Sequence, residues 1–138
     1  MRHLTLTVSL TIAAGSALVA CGPPIRNTPV SEIPKIATLA EVMDNAATTA
    51  DPQFGKRDNA TFTDDDYKSF AEASERIAAL SLKIKDFSKG PEFDALAAKL
   101  HDQAESLGKA ASAKDAAASG QALKDMKSTC KECHSKFR

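Results

Sequence analysis

The sequence TDDDYKSFAEASERIAALSLKIKDFS, residues 63–88, contains a long and regular amphipathic pattern. Thr63 followed by three acids suits the start of a helix, where a hydroxyl caps free N–H groups and negative charge is favoured. Apolar side chains then recur every three or four residues as far as Phe87, so one face of the helix is apolar. The pattern predicts an amphipathic helix that packs against others.

Three further segments repeat this period: residues 34–49, residues 91–113, and a last segment that Asp115 caps and that runs almost to Arg138. Asp51-Pro52 is predicted to end the first of them, before a loop of about a dozen residues. Four such helices in one short chain predict an all-α, antiparallel four-helix bundle. Their apolar faces are rich in alanine, which buries little surface, so the core is lean unless something bulky and apolar fills it.

Composition excludes several other classes of protein. The 138 residues include no Trp and one Tyr, which disfavours a β-sandwich or barrel. Eighteen Lys plus Arg balance eighteen Asp plus Glu, so the chain is not a generally basic nucleic-acid binder. The charge is nevertheless uneven: residues 121–138 hold five basic and two acidic side chains, whereas residues 58–75 hold six acidic and one basic.

The N-terminus has the pattern of an export signal. Arg2 precedes an uncharged apolar run over residues 4–19, which is short for a transmembrane helix. Leu18-Val19-Ala20-Cys21 then resembles a bacterial lipobox, in which the cysteine is lipidated and becomes the first residue of the mature protein. The predicted organisation is a signal peptide over 1–20, a Pro-rich tether over 21–32 with lipid on Cys21, and a domain over 33–138.

A lipid on Cys21 predicts a periplasmic domain held to a membrane by its acyl chains. Gly22 stands where an Asp would resemble an inner-membrane retention signal, which favours the outer membrane. The alternative is an ordinary secretory signal that is cut nearby and leaves Cys21 unmodified. Both interpretations export the chain.

The chemistry-bearing motif is Cys130-Lys131-Glu132-Cys133-His134, a C-x-x-C-H sequence. This spacing is typical of covalent haem c attachment. Residues three apart share a helix face, so Cys130 and Cys133 can reach the two vinyl groups of one porphyrin, and His134 is then the proximal iron ligand. Two alternatives are a redox disulfide and half of a zinc site, although a redox Cys pair usually begins a helix in an α/β pattern.

The ending Cys130-Lys131-Glu132-Cys133-His134-Ser135-Lys136-Phe137-Arg138 resembles that of class II c-type cytochromes, the cytochrome c′ family, which reads C-x-x-C-H-x-x-aromatic-basic. The resemblance implies a four-helix bundle with one haem c, a proximal His on the last helix and a distal residue from the first. Arg138 resembles the family's basic residue near the haem, so it is a candidate cofactor contact. Its alternative role is a solvated charge.

The family divides on the sixth iron ligand, which is Met in low-spin members and absent in high-spin ones. Met1 leaves with the signal. Met126 lies on the same helix as His134, about 12 Å from it along the helix axis, so it cannot reach the opposite face of the porphyrin. Met43, on the first helix, is therefore the candidate ligand, with simple core packing as the alternative. Leu39 stands one helical turn before Met43, at a position where family members often carry Arg. His101, at the edge of the third helix, is a weaker candidate.

These features predict a non-enzymatic monohaem cytochrome that carries one electron through His/Met-ligated iron. Its expected partners are a redox protein and the membrane, with no nucleic acid and with a homodimer left open. Two alternatives remain: a high-spin, cytochrome c′-like protein that binds or buffers NO or CO, and a haem subunit of a larger redox complex.

Overall fold

The computed structural model describes residues 27–138, so the predicted signal peptide and Cys21 lie outside the described residues. Four helices make up most of this part: α1 (Leu39–Phe54), α2 (Asp64–Ile84), α3 (Pro91–Ser112) and α4 (Ala116–Phe137). Short 3-10 helices stand before α1 (Val30–Lys35) and after α2 (Lys85–Phe87). No strand occurs between residues 27 and 138, and the predicted all-α four-helix bundle is confirmed.

Contacts between helix ends show that neighbouring helices run antiparallel. Tyr67, near the start of α2, donates its hydroxyl to the carbonyl of Lys114, just past the end of α3, at 2.9 Å. Lys136, near the end of α4, pairs with Glu92 at the start of α3.

None of the helices in residues 27–138 is long and apolar enough to cross a membrane.

The predicted starts of α2 and α4 are confirmed at the level of single hydrogen bonds. Thr63 and Asp66 form a reciprocal capping box, in which each side chain accepts the other's backbone N–H. Asp115 caps α4 by accepting the N–H of Ala118 at 2.9 Å. Each cap lies within three residues of its partner, which is why the local sequence predicts it.

The first helix is shifted along the chain relative to the prediction of 34–49. It begins after Thr38, whose hydroxyl accepts the N–H of Glu41 at 3.2 Å, and Pro34 lies instead in the preceding 3-10 helix. It also continues through Asp51-Pro52 to Phe54, which is buried. Pro52 stands in the last turn, where only a short stretch of helix follows it, so burial of Phe54 can offset the missing hydrogen bond.

The segment before α1 packs against the bundle. Ile33 and Ile36 are buried in the core, and the 3-10 helix Val30–Lys35 contacts α2. Thr28 is buried as well. The packed part of the chain therefore begins inside the range 21–32 that the sequence predicts as a tether. We call residues 28–36 the N-terminal strap.

Packing is uneven around the bundle. Helices α2 and α3 are closely packed, and Gly108 allows this because a Cβ there would run into the side chain of Ser74. By contrast, α1 and α4 make few close contacts with each other. The lean core that the sequence predicts therefore has a gap on one side, between the helix of Met43 and the helix of Cys130 and Cys133.

Candidate cofactor site

A cavity of about 640 Å³ occupies the gap between α1 and α4. Small-molecule and cofactor sites commonly measure about 300–1,000 Å³ and are mostly apolar. Both conditions hold here, because α1 contributes mainly alanines and the buried cores of α2 and α3 supply the floor. A second cavity of about 490 Å³ adjoins it near the start of α1. Both cavities are lined by Met43, Ala47, Cys133, His134 and Arg138.

The two cysteines line the larger cavity as free thiols, without a disulfide between them. Burial is the main cause that raises the pKa of Cys130 to about 11, and the neighbouring Cys133 adds to the effect. Burial likewise raises the pKa of Cys133 above its ordinary value. Redox-active cysteines need a depressed pKa, so these protonated thiols are unlike an oxidoreductase pair.

The zinc alternative lacks ligands in this structure. Within residues 27–138, no three His, Cys, Asp or Glu side chains come close enough together to hold a metal ion. A structural zinc site needs four such ligands. Residues 27–138 therefore do not form a structural zinc site.

His134 and Arg138 extend the same edge of α4. His134 is exposed yet lines both cavities, and its backbone carbonyl accepts the N–H of Arg138 at 3.3 Å. Arg138 is exposed too, and within residues 27–138 its guanidinium forms no ion pair. A free cation beside the cavity is compatible with the predicted cofactor contact.

Met43 is half-buried and lines both cavities from α1, and His134 lines them from α4. Met126 also lines the larger cavity, but it is 1% exposed and belongs to the hydrophobic core of the bundle. Because Met126 is on the same helix as His134, both residues line the cavity from α4. The structure thus brings Met43, Cys130, Cys133 and His134 together.

His101 is turned away from this site. Its Nδ1 lies 3.1 Å from the carbonyl oxygen of Ala78 on α2, and its Nε2 lies 3.6 Å from Glu105. It lines neither cavity. The imidazole thus serves the contact between α2 and α3.

Sequence reasoning missed two lining residues. Thr129 lines the larger cavity but is 1% exposed, and its buried hydroxyl has no hydrogen-bond partner among the described residues. Lys127 also lines this cavity, with its ammonium 5.4 Å from the ring centre of Phe54. Lys127 precedes Cys130 by about one helical turn, so the helical period could have placed it on the same face as the motif. Thr129 carries no such signal, because its burial depends on the neighbouring helices.

These residues fit a covalently held haem. The cavity is apolar and lies where packing is loose, and its wall offers two protonated thiols three residues apart, an imidazole and a thioether. Fold and site together define an all-α haem c protein.

The comparisons make this class more specific. The family model described as Cytochrome C′ matches residues 34–138, and the chain belongs to this family. Proteins of the family bind one covalent haem c with its iron. The chain is also similar to a cytochrome c′ from Pararhodospirillum photometricum, with 43% identity over 70 residues. That match covers 51% of this chain and 56% of the relative, and no solved structure matches the chain significantly.

Proposed function

We propose that this protein is a one-electron carrier whose haem c is attached through Cys130 and Cys133, with His134 and Met43 as the two iron ligands. The observation that supports the proposal is that Met43 on α1 and His134 on α4 line the same two cavities.

Attachment is assigned to Cys130 and Cys133 because both thiols line the cavity from one helix. A thioether forms when a thiol adds across a vinyl group, so the thiol hydrogen is kept in the product. The raised pKa of each cysteine keeps it protonated, which disfavours a competing disulfide before attachment. The adjacent His134 then binds from the same helix.

Met43 is proposed as the sixth ligand because the other candidates are placed elsewhere. Met126 lies eight residues before His134, about 12 Å along one helix, and is packed in the core. His101 is engaged with Ala78. Iron with His and Met ligands exchanges one electron with little rearrangement, and methionine raises its reduction potential.

A high-spin, gas-binding function is the second candidate, and the loose packing between α1 and α4 favours it. If Met43 only packs, the same gap leaves room for NO or CO on the distal side. A role as the haem subunit of a larger redox complex is compatible with His/Met ligation and also with ligation by His134 alone. Both alternatives keep the same attachment residues.

We further propose that Cys21 carries a lipid and that the domain works in the periplasm, tethered to the outer membrane. The lipobox-like sequence ending at Cys21 and the following Gly22 support this proposal. Cys21→Ser is expected to release haem-loaded protein into the soluble periplasmic fraction. Wild-type protein that is already soluble and unlipidated contradicts the anchor.

The ligand set is tested by spectroscopy of the purified holoprotein in both oxidation states. His/Met ligation gives a low-spin spectrum with the far-red band of methionine-bound ferric haem. Met43→Ala is expected to become high-spin and to bind CO, whereas Met126→Ala keeps the wild-type ligand spectrum. A high-spin wild type supports the gas-binding alternative. Haem that acid-acetone extracts from the wild type contradicts covalent attachment.

A further inference from the structure

The N-terminal strap is joined to α1 and α2 by a polar network. The backbone N–H of Thr28 donates to Oδ1 of Asn45 at 2.8 Å, and Arg76 on α2 donates from Nη1 to the carbonyl of Thr28 at 2.7 Å. The same guanidinium donates from Nε to the hydroxyl of Thr49 at 3.2 Å. That hydroxyl in turn donates to the backbone carbonyl of Asn45 at 2.8 Å. The strap, α1 and α2 are thus joined by one connected set of hydrogen bonds.

Asn45 lies on the face of α1 opposite Met43. Residues two positions apart in an α-helix are separated by about 200° around the axis, since each turn holds 3.6 residues. Asn45 is 0% exposed, and its Nδ2 donates to the carbonyl of Glu41 at 2.9 Å. Val42, one turn before Asn45, is also fully buried. One face of α1 is therefore fixed against the strap and α2, while the other carries Met43 into the cavity.

This division matters because α1 receives little support from α4. Apolar contacts on the buried face hold the helix to the bundle, but they are not directional and tolerate some rotation. Hydrogen bonds depend strongly on angle, and those from a charged donor are the stronger ones. The network is therefore suited to fix the rotation of α1 about its axis.

We infer that Arg76 and Asn45 are positioning residues for Met43: their hydrogen bonds to the strap and to Thr49 hold α1 in the rotation that directs the thioether into the cavity. The inference rests on the proposed ligation by Met43. Loss of the network leaves the fold in place but increases the fraction of molecules whose methionine is turned away. Loss of one net hydrogen bond from a charged group corresponds to roughly a tenfold change in that equilibrium.

The test compares holoproteins of wild type, Asn45→Ala, Arg76→Met and Arg76→Lys. Arg57→Met is the matched control, because Arg57 donates to the carbonyl of Phe54 at 2.7 Å at the far end of α1. The far-red band of the ferric protein and the helical circular dichroism are followed together on heating, and CO binding is measured on the ferrous protein.

Asn45→Ala and Arg76→Met are expected to lose the far-red band well below the temperature at which helicity is lost, and to bind CO about tenfold faster. Arg76→Lys recovers part of the band, and Arg57→Met loses band and helicity together, like the wild type. If the network variants also lose both signals together, the residues stabilise the fold only and the inference is wrong. If the wild type lacks the band, the proposed His/Met ligation fails and the inference fails with it.

Discussion

The hydroxyl of Tyr67 donates a 2.9 Å hydrogen bond to the carbonyl of Lys114, and Lys114 has a φ angle of 52°. The bond joins the start of α2 to the turn between α3 and α4. Residues 113–115 form this tight turn, and Lys114 is the one non-glycine residue with positive φ within residues 27–138. A left-handed conformation disfavours any residue with a Cβ, so the turn is strained at a position that the fold needs.

Lys114→Gly is therefore expected to raise the free energy of unfolding by ~0.5–1 kcal/mol. Glycine relieves the backbone strain, and its greater conformational entropy in the unfolded chain offsets part of that gain. The substitution also removes the exposed ion pair between Lys114 and Asp64, which contributes little. Urea unfolding of the holoprotein measures the change. Asp64→Asn controls for the ion pair, and a Lys114→Gly variant less stable than wild type contradicts the strain argument.

Close approach of α2 and α3 gives a second prediction, at Gly108. A methyl group there meets the side chain of Ser74, whose Oγ donates to the carbonyl of Ala104 at 2.7 Å. Gly108→Ala is expected to lower the free energy of unfolding by ~1–3 kcal/mol, as overpacking does. Combining it with Ser74→Ala should recover part of that loss in a double-mutant cycle, because the obstructing oxygen is removed.

Gly55 provides the matched control for Gly108. It has a helical φ of −61°, and an added Cβ there meets its nearest neighbour at an ordinary 3.5 Å. Gly55→Ala should consequently leave stability unchanged or slightly increased. Equal losses at the two glycines would mean that packing at Gly108 is not the cause.

A third prediction concerns acid unfolding. The hydrogen bond from Lys56, followed by those from Thr63, lowers the pKa of Asp66 from 3.8 to about 2. A depressed carboxyl pKa stabilises the fold above the unfolded-state value, and this contribution is lost as the pH falls through the folded-state value. Asp66→Asn should therefore reduce the loss of stability between about pH 4 and pH 2.

Denaturant titrations across that pH range measure the effect in wild type, Asp66→Asn and Asp64→Asn. Asp64 lies two residues before Asp66 and pairs with Lys114 at 2.7 Å, but it is outside the capping box. An acid dependence that changes equally in both variants would assign the effect to general charge rather than to the cap. The Asp66 side chain is partly exposed, so the expected change is small.

The sequence predicts those features that depend on neighbouring residues. The caps at Thr63 and Asp115 bind backbone N–H groups only three residues away, and the stripe that includes Met43 follows from the helical period. The start of α1 is missed because Pro34 suits a first turn. Thr38 and Glu41, spaced three apart as in a capping box, contain the correct signal.

Features that depend on distant parts of the chain are not predictable in this way. Arg76 is an ordinary basic residue in the sequence, and only the fold brings it to Thr28, 48 positions away. The same holds for the buried hydroxyl of Thr129. The loose α1–α4 side is anticipated only indirectly, through the alanine-rich stripes.

The last prediction concerns the charges that face a redox partner. The sequence shows five basic residues in 121–138, and the simplest expectation gives Lys131 and Lys136 equal roles in docking. In the structure Lys136 pairs with Glu92 and Glu132, and these partners raise its pKa. Lys131 is exposed at the cavity and forms no ion pair within residues 27–138. The two lysines therefore present different net charge to a partner.

Complementary charge mainly accelerates encounter, and a charge acts most strongly on a partner that docks close to it. Lys131 lines the larger cavity, whereas Lys136 lines neither cavity. Lys131→Glu is therefore expected to slow second-order electron transfer with an acidic donor several-fold at low ionic strength, and Lys136→Glu to slow it less. The difference should shrink as salt approaches 0.1 M, where the screening length falls to about 10 Å. Stopped-flow rates across ionic strength give the comparison, with Lys99→Glu on α3 as a control that lines neither cavity. Equal rates for all three variants, unaffected by salt, would show that these lysines are solvated charges and do not steer a partner.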